Sequence, residues 1–100
     1  MARPYLQADD HADVFRAVAH RWRRAILDRL IDQPLVFGDL RKQLPISDAT
    51  LSAHLRILRD AGLIKPERHG KSITYRPVPA RLRVIETRLK SSKRHAAAAA

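Results

Sequence analysis

Apolar residues recur along this chain at two different spacings, and the change from one to the other marks out its elements. Val14, Phe15 and Val18 fall on one side of a helix over about Ala12–Ala19, with Asp9 or Asp10 placed to cap it. Trp22, Ile26, Leu27 and Leu30 repeat at helical spacing over about Trp22–Ile31, and Gln33-Pro34 closes that helix. Leu35 and Val36 form a short extended piece, free to add a third strand to a sheet. A brief helix follows over Gly38–Leu44, with Asp39 suited to its first turn, and Pro45-Ile46 makes a turn. Leu51, Leu55 and Leu58 then stand at i, i+4 and i+7 on a fourth helix, capped by Ser47 and stopped by Gly62. Beyond Gly62 the period drops to two. Ile73 and Tyr75 share one face of a strand, and Thr74 and Arg76 take the other. The extended stretches Leu63–Arg68 and Ser72–Val78 join through His69-Gly70-Lys71 into a hairpin, where Gly70 can take positive φ at no steric cost. Pro77 makes the end of the second strand an edge or exit position. Pro79 opens a last helix over about Ala80–Leu89, with Leu82, Ile85 and Leu89 in one narrow stripe.

This order predicts a mainly α fold with a small β-wing: a winged helix-turn-helix, with four helices, a β-hairpin and a fifth helix in sequence. Residues 1–8 are expected to form an N-terminal arm, residues 9–90 a DNA-binding and dimerisation domain, and residues 91–100 a basic and then poly-alanine tail. The outer face of the fourth helix carries Ala49, Ser52, Ala53, Arg56 and Arg59, short or cationic groups that fit a major groove. By itself an ordinary amphipathic helix with a solvated face has the same pattern. The hairpin tips the balance. Its tip presents Arg68, His69, Lys71 and Ser72, which suit a phosphate backbone or a minor groove; alone, charge that keeps an edge strand soluble explains them equally.

Charge sharpens the picture. Twenty Lys and Arg stand against ten Asp and Glu in 100 residues, a formal net charge of +10, which points to a polyanionic partner and to nucleic acid first, double-stranded DNA in view of the helix-turn-helix. A membrane surface fits less well, because no segment joins a strong apolar face to a fully cationic one. No apolar run approaches the roughly 20 residues of a membrane span and no signal peptide is visible, so a cytoplasmic protein is expected. With no cysteine there is neither a disulfide framework nor a thiolate metal site. So short a chain buries a modest core, and a second copy of itself is an expected partner.

These residues together resemble the ArsR-type (ArsR/SmtB) winged helix-turn-helix transcriptional regulators, from about Val14 to Val78. Phe15–Leu30 is similar to the family's first-to-second helix junction, with Arg23 and Ile26-Leu27 matching and Arg21 and Trp22 in place of the usual proline and threonine. Ser47, Thr50, Ser52, His54, Leu55, Leu58, Arg59, Asp60, Ala61, Gly62, Leu63 and Ile64 fall where the family's recognition helix has those types, and Arg68, Gly70 and Tyr75 match its wing. The resemblance implies a dimer formed through the first and last helices, here Val14, Phe15, Val18, Leu82, Ile85 and Leu89. It also implies a repressor that occludes a promoter at an imperfect palindrome. Carried over residue by residue, Ser47, Asp48, Ala49, Thr50, Ser52, Ala53, His54 and Arg56 are the recognition-helix candidates, and Arg68, His69, Lys71 and Ser72 those of the wing. His54 has two readings, a phosphate contact or a capping or interhelix hydrogen bond. Asp48 replaces the common glutamine and can accept from a cytosine amino group, while Ala53 replaces the common arginine and can touch a thymine methyl.

No cofactor is expected. Both cysteines of the family's third-helix metal motif are lost, to Val36 and Gly38, and on the last helix only Glu86 remains as a ligand, with His95 on the tail. His11 with Asp9, Asp10 or Asp13 makes at most a weak site beside an ordinary acidic cap. The pattern resembles the metal-free branch, with a small-molecule or protein effector unidentified. A winged-helix module that binds a protein partner, or nucleic acid without specificity, is the alternative reading. No aromatic cluster suits RNA, and no catalytic constellation supports an enzyme.

Overall fold

Leu51, Leu55 and Leu58 bury one whole face of the fourth helix, and the rest of the fold is arranged around that face. The computed structural model describes residues 11–88. The helices are α1 (Ala12–Val18), α2 (Arg21–Asp32), α3 (Phe37–Gln43) and α4 (Asp48–Asp60), with α5 described over 79–88. The strands are β1 (Leu35–Val36), β2 (Ile64–His69) and β3 (Ser72–Pro77), joined in one antiparallel sheet of order β1-β3-β2. Leu35 pairs with Tyr75 and Val36 with Thr74, so the short extended piece before α3 does become the third strand. On the other edge the register runs from Ile64 opposite Pro77 to His69 opposite Ser72. Pro66 lies in β2, an edge strand, where a missing donor is tolerated.

The core gathers Val14 and Ala17 from α1, Ile26, Leu27 and Leu30 from α2, and Leu40 from α3 against the leucines of α4. Leu63 and Ile64 extend it under the wing. Each fully buried leucine contributes about 1.5–3 kcal/mol through burial alone, so α4 is held firmly against the body. Val14 is fully buried inside this core. Its side chain is used within the protomer, unlike Phe15 and Val18 of the same helix, which are half-buried.

His20 caps α2: its Nδ1 accepts from the Trp22 backbone N–H at 3.1 Å, and the helix begins at Arg21, one residue before the expected start. The N-cap position of α1 is His11, in the left-handed region at φ 52°, while Asp9 and Asp10 lie outside the described residues. Arg23 then ties the helices together. Its Nε donates to the Ala17 carbonyl at 2.6 Å and its Nη2 to the Arg16 carbonyl at 3.3 Å, satisfying the open end of α1. Its Nη1 lies 3.3 Å from His54 Nδ1 on α4.

Candidate nucleic-acid interface

The exposed side of α4 starts at Ser47. Its Oγ accepts from the Thr50 backbone N–H at 3.1 Å, the N-cap bond expected of a serine before a helix. The same hydroxyl donates to Thr50 Oγ1 at 2.9 Å. Ser47 is thus turned toward its own helix. Asp48 stands in the first turn, where the helix dipole favours a carboxylate, and Arg41 of α3 lies 3.6 Å from it. Ala49, Thr50, Ser52, Ala53 and Arg56 are all exposed.

His54 departs from that set. It is 8% exposed, held between Arg23 and the His20 ring, whose centroid is 4.5 Å away. Burial, then the charges of His20 and Arg23, push its imidazole below the ordinary value. The structure gives His54 an interhelix contact with Arg23, and it is buried where Ala49, Thr50 and Ser52 are exposed.

The C-terminus of α4 closes with a left-handed glycine. Gly62 has φ +76°, its N–H donates to the Arg59 carbonyl at 2.8 Å, and the Leu63 N–H donates to the Leu58 carbonyl at 3.0 Å. This paired pattern is a Schellman stop, and it turns the chain straight into β2. Arg81 of α5 reinforces it by donating from Nε and Nη2 to the Ala61 carbonyl, at 3.2 and 3.1 Å, and from Nη2 to Asp13 of α1 at 3.2 Å. At the wing tip Gly70 has φ +62° between His69 and Ser72, which pair across a two-residue loop. Positive φ at only the first loop residue is what a type II′ hairpin turn needs. Arg68, His69, Lys71 and Ser72 are exposed there.

Between α4 and the wing runs a cleft of about 490 Å³, lined by Ser52, Arg56 and Arg59 on one side and Arg68, Ile73 and Tyr75 on the other. Arg59, read from sequence on the outer face of the helix, and Tyr75, matched there to the wing, both line this cleft. The signal for Arg59 lay in its spacing, three residues beyond Arg56 and seven beyond Ser52 on one helical face. Burial raises the Tyr75 hydroxyl above its ordinary value and the nearby Arg59 partly offsets this. Carboxylates on this surface are spoken for. Asp60 lies 3.3 Å from Arg59 and 4.0 Å from Arg56, and Glu67 lies 2.9 Å from Arg76 and 3.6 Å from His69. The hydrogen bond from Arg76 holds the Glu67 carboxyl below its ordinary value.

A second groove, about 720 Å³, lies on the far side between α2 and α5, and Val18, Leu27, Ile31, Leu82 and Ile85 line it. Ile31 is 59% exposed there. Leu89 lies outside the described residues. Among the described residues no three His, Asp or Glu side chains gather to hold a metal ion, and no helix is long and apolar enough to cross a membrane.

Residues 18–67 match the family model described as a helix-turn-helix domain. The chain is 36% identical over 75 residues to the HTH-type transcriptional regulator Rv2034 of Mycobacterium tuberculosis, an alignment spanning 75% of this chain and 70% of that protein. It is 38% identical over 63 residues to the transcriptional repressor SdpR of Bacillus subtilis, across 63% of this chain and 70% of the relative. In three dimensions it is similar to a crystal structure of an ArsR family transcriptional regulator, with TM-score 0.78 and 25% identity over 88% of this chain and 92% of that one. A helix-turn-helix carrying a basic wing, found in the same order as in these regulators, places the chain in the ArsR family of winged helix-turn-helix transcriptional regulators.

Proposed function

We propose that the chain works as a homodimeric repressor that binds an imperfect palindrome and occludes a promoter. The cleft between α4 and the wing carries this reading, because three arginines from two elements converge on one concave surface beside the exposed face of α4. A guanidinium recognises phosphate in a fork geometry, so this surface suits a DNA backbone while Ala49, Thr50, Ser52 and Ala53 face the bases. Arg68, His69, Lys71 and Ser72 reach the flanking backbone or minor groove from the wing. Relatives named as repressors support the direction of regulation. Phe15, Val18, Leu82 and Ile85 serve the dimer in this reading, with the exposed Ile31 beside them in the α2–α5 groove. The partner is double-stranded DNA, and no cofactor takes part.

Selection of binding sites from random duplex DNA at about 150 mM salt tests the proposal, since non-specific binding there is only about 10⁻⁴–10⁻⁶ M. Enrichment of a palindrome with half-sites about one helical turn apart is the expected result. Recovery of no common sequence would point instead to a protein partner or to non-specific association. Sedimentation of Ile85→Glu checks the dimer separately: a monomer with an unchanged circular dichroism spectrum is expected.

A further inference from the structure

We propose that α4 reads its operator chiefly through thymine methyl groups. The inference rests on the DNA-binding reading above and adds what chemistry the bases must offer. On a helix of 3.6 residues per turn, Ala49 and Ala53 lie directly opposite the buried stripe of Leu51, Leu55 and Leu58. Both are exposed, so two methyl groups occupy the midline of the outer face. They belong to the N-terminal half of the helix, the half whose side chains meet base edges in this motif. Exposed Ser52 and Thr50 flank them.

The commonest specific contacts are bidentate: Arg or Lys to guanine, Asn or Gln to adenine. None of those four residue types occurs anywhere over residues 47–55. Ser47 directs its hydroxyl to Thr50, and His54 is buried. Arg41, the nearest cation to this end, is drawn toward Asp48 at 3.6 Å, and Arg56 lies a turn further on with Asp60 at 4.0 Å. What remains for direct readout is three methyl groups, from Ala49, Ala53 and Thr50, with two short hydroxyls and the Asp48 carboxylate, an acceptor that Arg41 already faces at 3.6 Å. A short midline also lets the helix sit deep. With ordinary side chains a helix measures about 10–12 Å across in a groove of about 12 Å, and alanines bring its backbone closer to the floor, where the thymine methyls project. Ala49 and Ala53 are four residues apart, about 6 Å along the helix axis, which corresponds to thymines within about two base pairs of each other in each half-site.

The test starts from the palindrome selected by the full chain and replaces each thymine singly by deoxyuracil, which removes the methyl and leaves pairing intact. One or two positions per half-site are expected to weaken binding about fourfold each, the effect of one buried methyl. At those positions the penalty should vanish in Ala49→Gly or Ala53→Gly, each checked for retained helix content. A selected palindrome in which every thymine tolerates uracil within twofold overturns the inference while leaving the DNA-binding reading intact. So does a half-site that loses affinity only when guanine is replaced by 7-deazaguanine. Failure to select any palindrome defeats the DNA-binding reading itself, and this inference falls with it.

Discussion

Arg23 Nη1 lies 3.3 Å from His54 Nδ1, and this contact joins α2 to the middle of α4. A guanidinium only donates, so Nδ1 accepts and the imidazole proton rests on Nε2. His20 packs on the same ring from the α2 cap. Three groups able to carry positive charge therefore meet at one buried point, which is stable only while the imidazole stays neutral.

Stability is expected to fall on mild acidification for this reason. His54 is held below the ordinary imidazole value of 6.5, so the unfolded chain takes up this proton at a higher pH than the folded chain does. The contribution is complete above about pH 6.5 and is lost as pH drops toward the folded value. Urea midpoints between pH 7.5 and 5.5, compared with His54→Gln, isolate it, since the amide oxygen can still accept from Arg23. The wild-type midpoint should drop more steeply; parallel curves would refute the assignment.

Removing the strut has a different signature. Arg23→Lys keeps the charge but loses the planar fork that serves Ala17, Arg16 and His54 at once. A loss of about 1–3 kcal/mol is expected, because partly buried acceptors are left without donors. Chemical denaturation measures it, and a change within about 0.5 kcal/mol would show that these bonds are dispensable.

Gly62→Ala should destabilise by about 1–3 kcal/mol. The residue sits at φ +76°, costly for any side chain, and an added Cβ would meet Arg81 Nε at 3.2 Å. Gly38→Ala is the internal control, since its new Cβ meets nothing within 4 Å and its φ is ordinary. That change should be neutral or stabilise by about 0.4–1 kcal/mol. Equal losses at the two glycines would argue against the Schellman stop as the cause.

Ser47 separates capping from DNA contact. Ser47→Ala should cost about 0.5–2 kcal/mol of stability by freeing the Thr50 N–H, and Ser47→Asp should restore it. Thermal melts in the absence of DNA show the effect. Unchanged melting of Ser47→Ala would mean that the hydroxyl serves something other than the helix start.

The periodicity revealed the helices because burial enforces a period on them, as with Leu51, Leu55 and Leu58 along α4, whereas along β3 Ile73, Thr74 and Tyr75 are all half-buried. Even the two-residue strand at Leu35 was legible as extended, though its pairing with Tyr75 depends on a distant segment. What stayed hidden is non-local. Arg81 reads as one more cation in a basic stretch, yet it closes α4 and binds Asp13 across 68 positions of chain. Histidine spacing alone leaves open whether His54 faces DNA or the body, and the answer comes from Arg23, 31 positions away. Val14 likewise shows only an apolar helix face in sequence, and whether that face meets the core or a second copy is decided by packing.

The arginines of the cleft give the sharpest test of this interface. If Arg59 and Arg68 each neutralise one phosphate, replacing either by glutamine lowers the magnitude of the log–log salt slope by about 0.9 for every phosphate that each protomer no longer neutralises. Asp60→Asn should act in the opposite sense. Its carboxylate lies 3.3 Å from Arg59 and 4.0 Å from Arg56, and exposed pairs of this kind are worth only about 0–1 kcal/mol. A phosphate can therefore displace Asp60, and removing that competitor should tighten binding with no effect on the fold. Titrations of one selected duplex over about 50–200 mM salt read all three variants. A slope that Arg59→Gln and Arg68→Gln leave untouched would move the backbone contacts out of the cleft and onto the wing tip at His69 and Lys71.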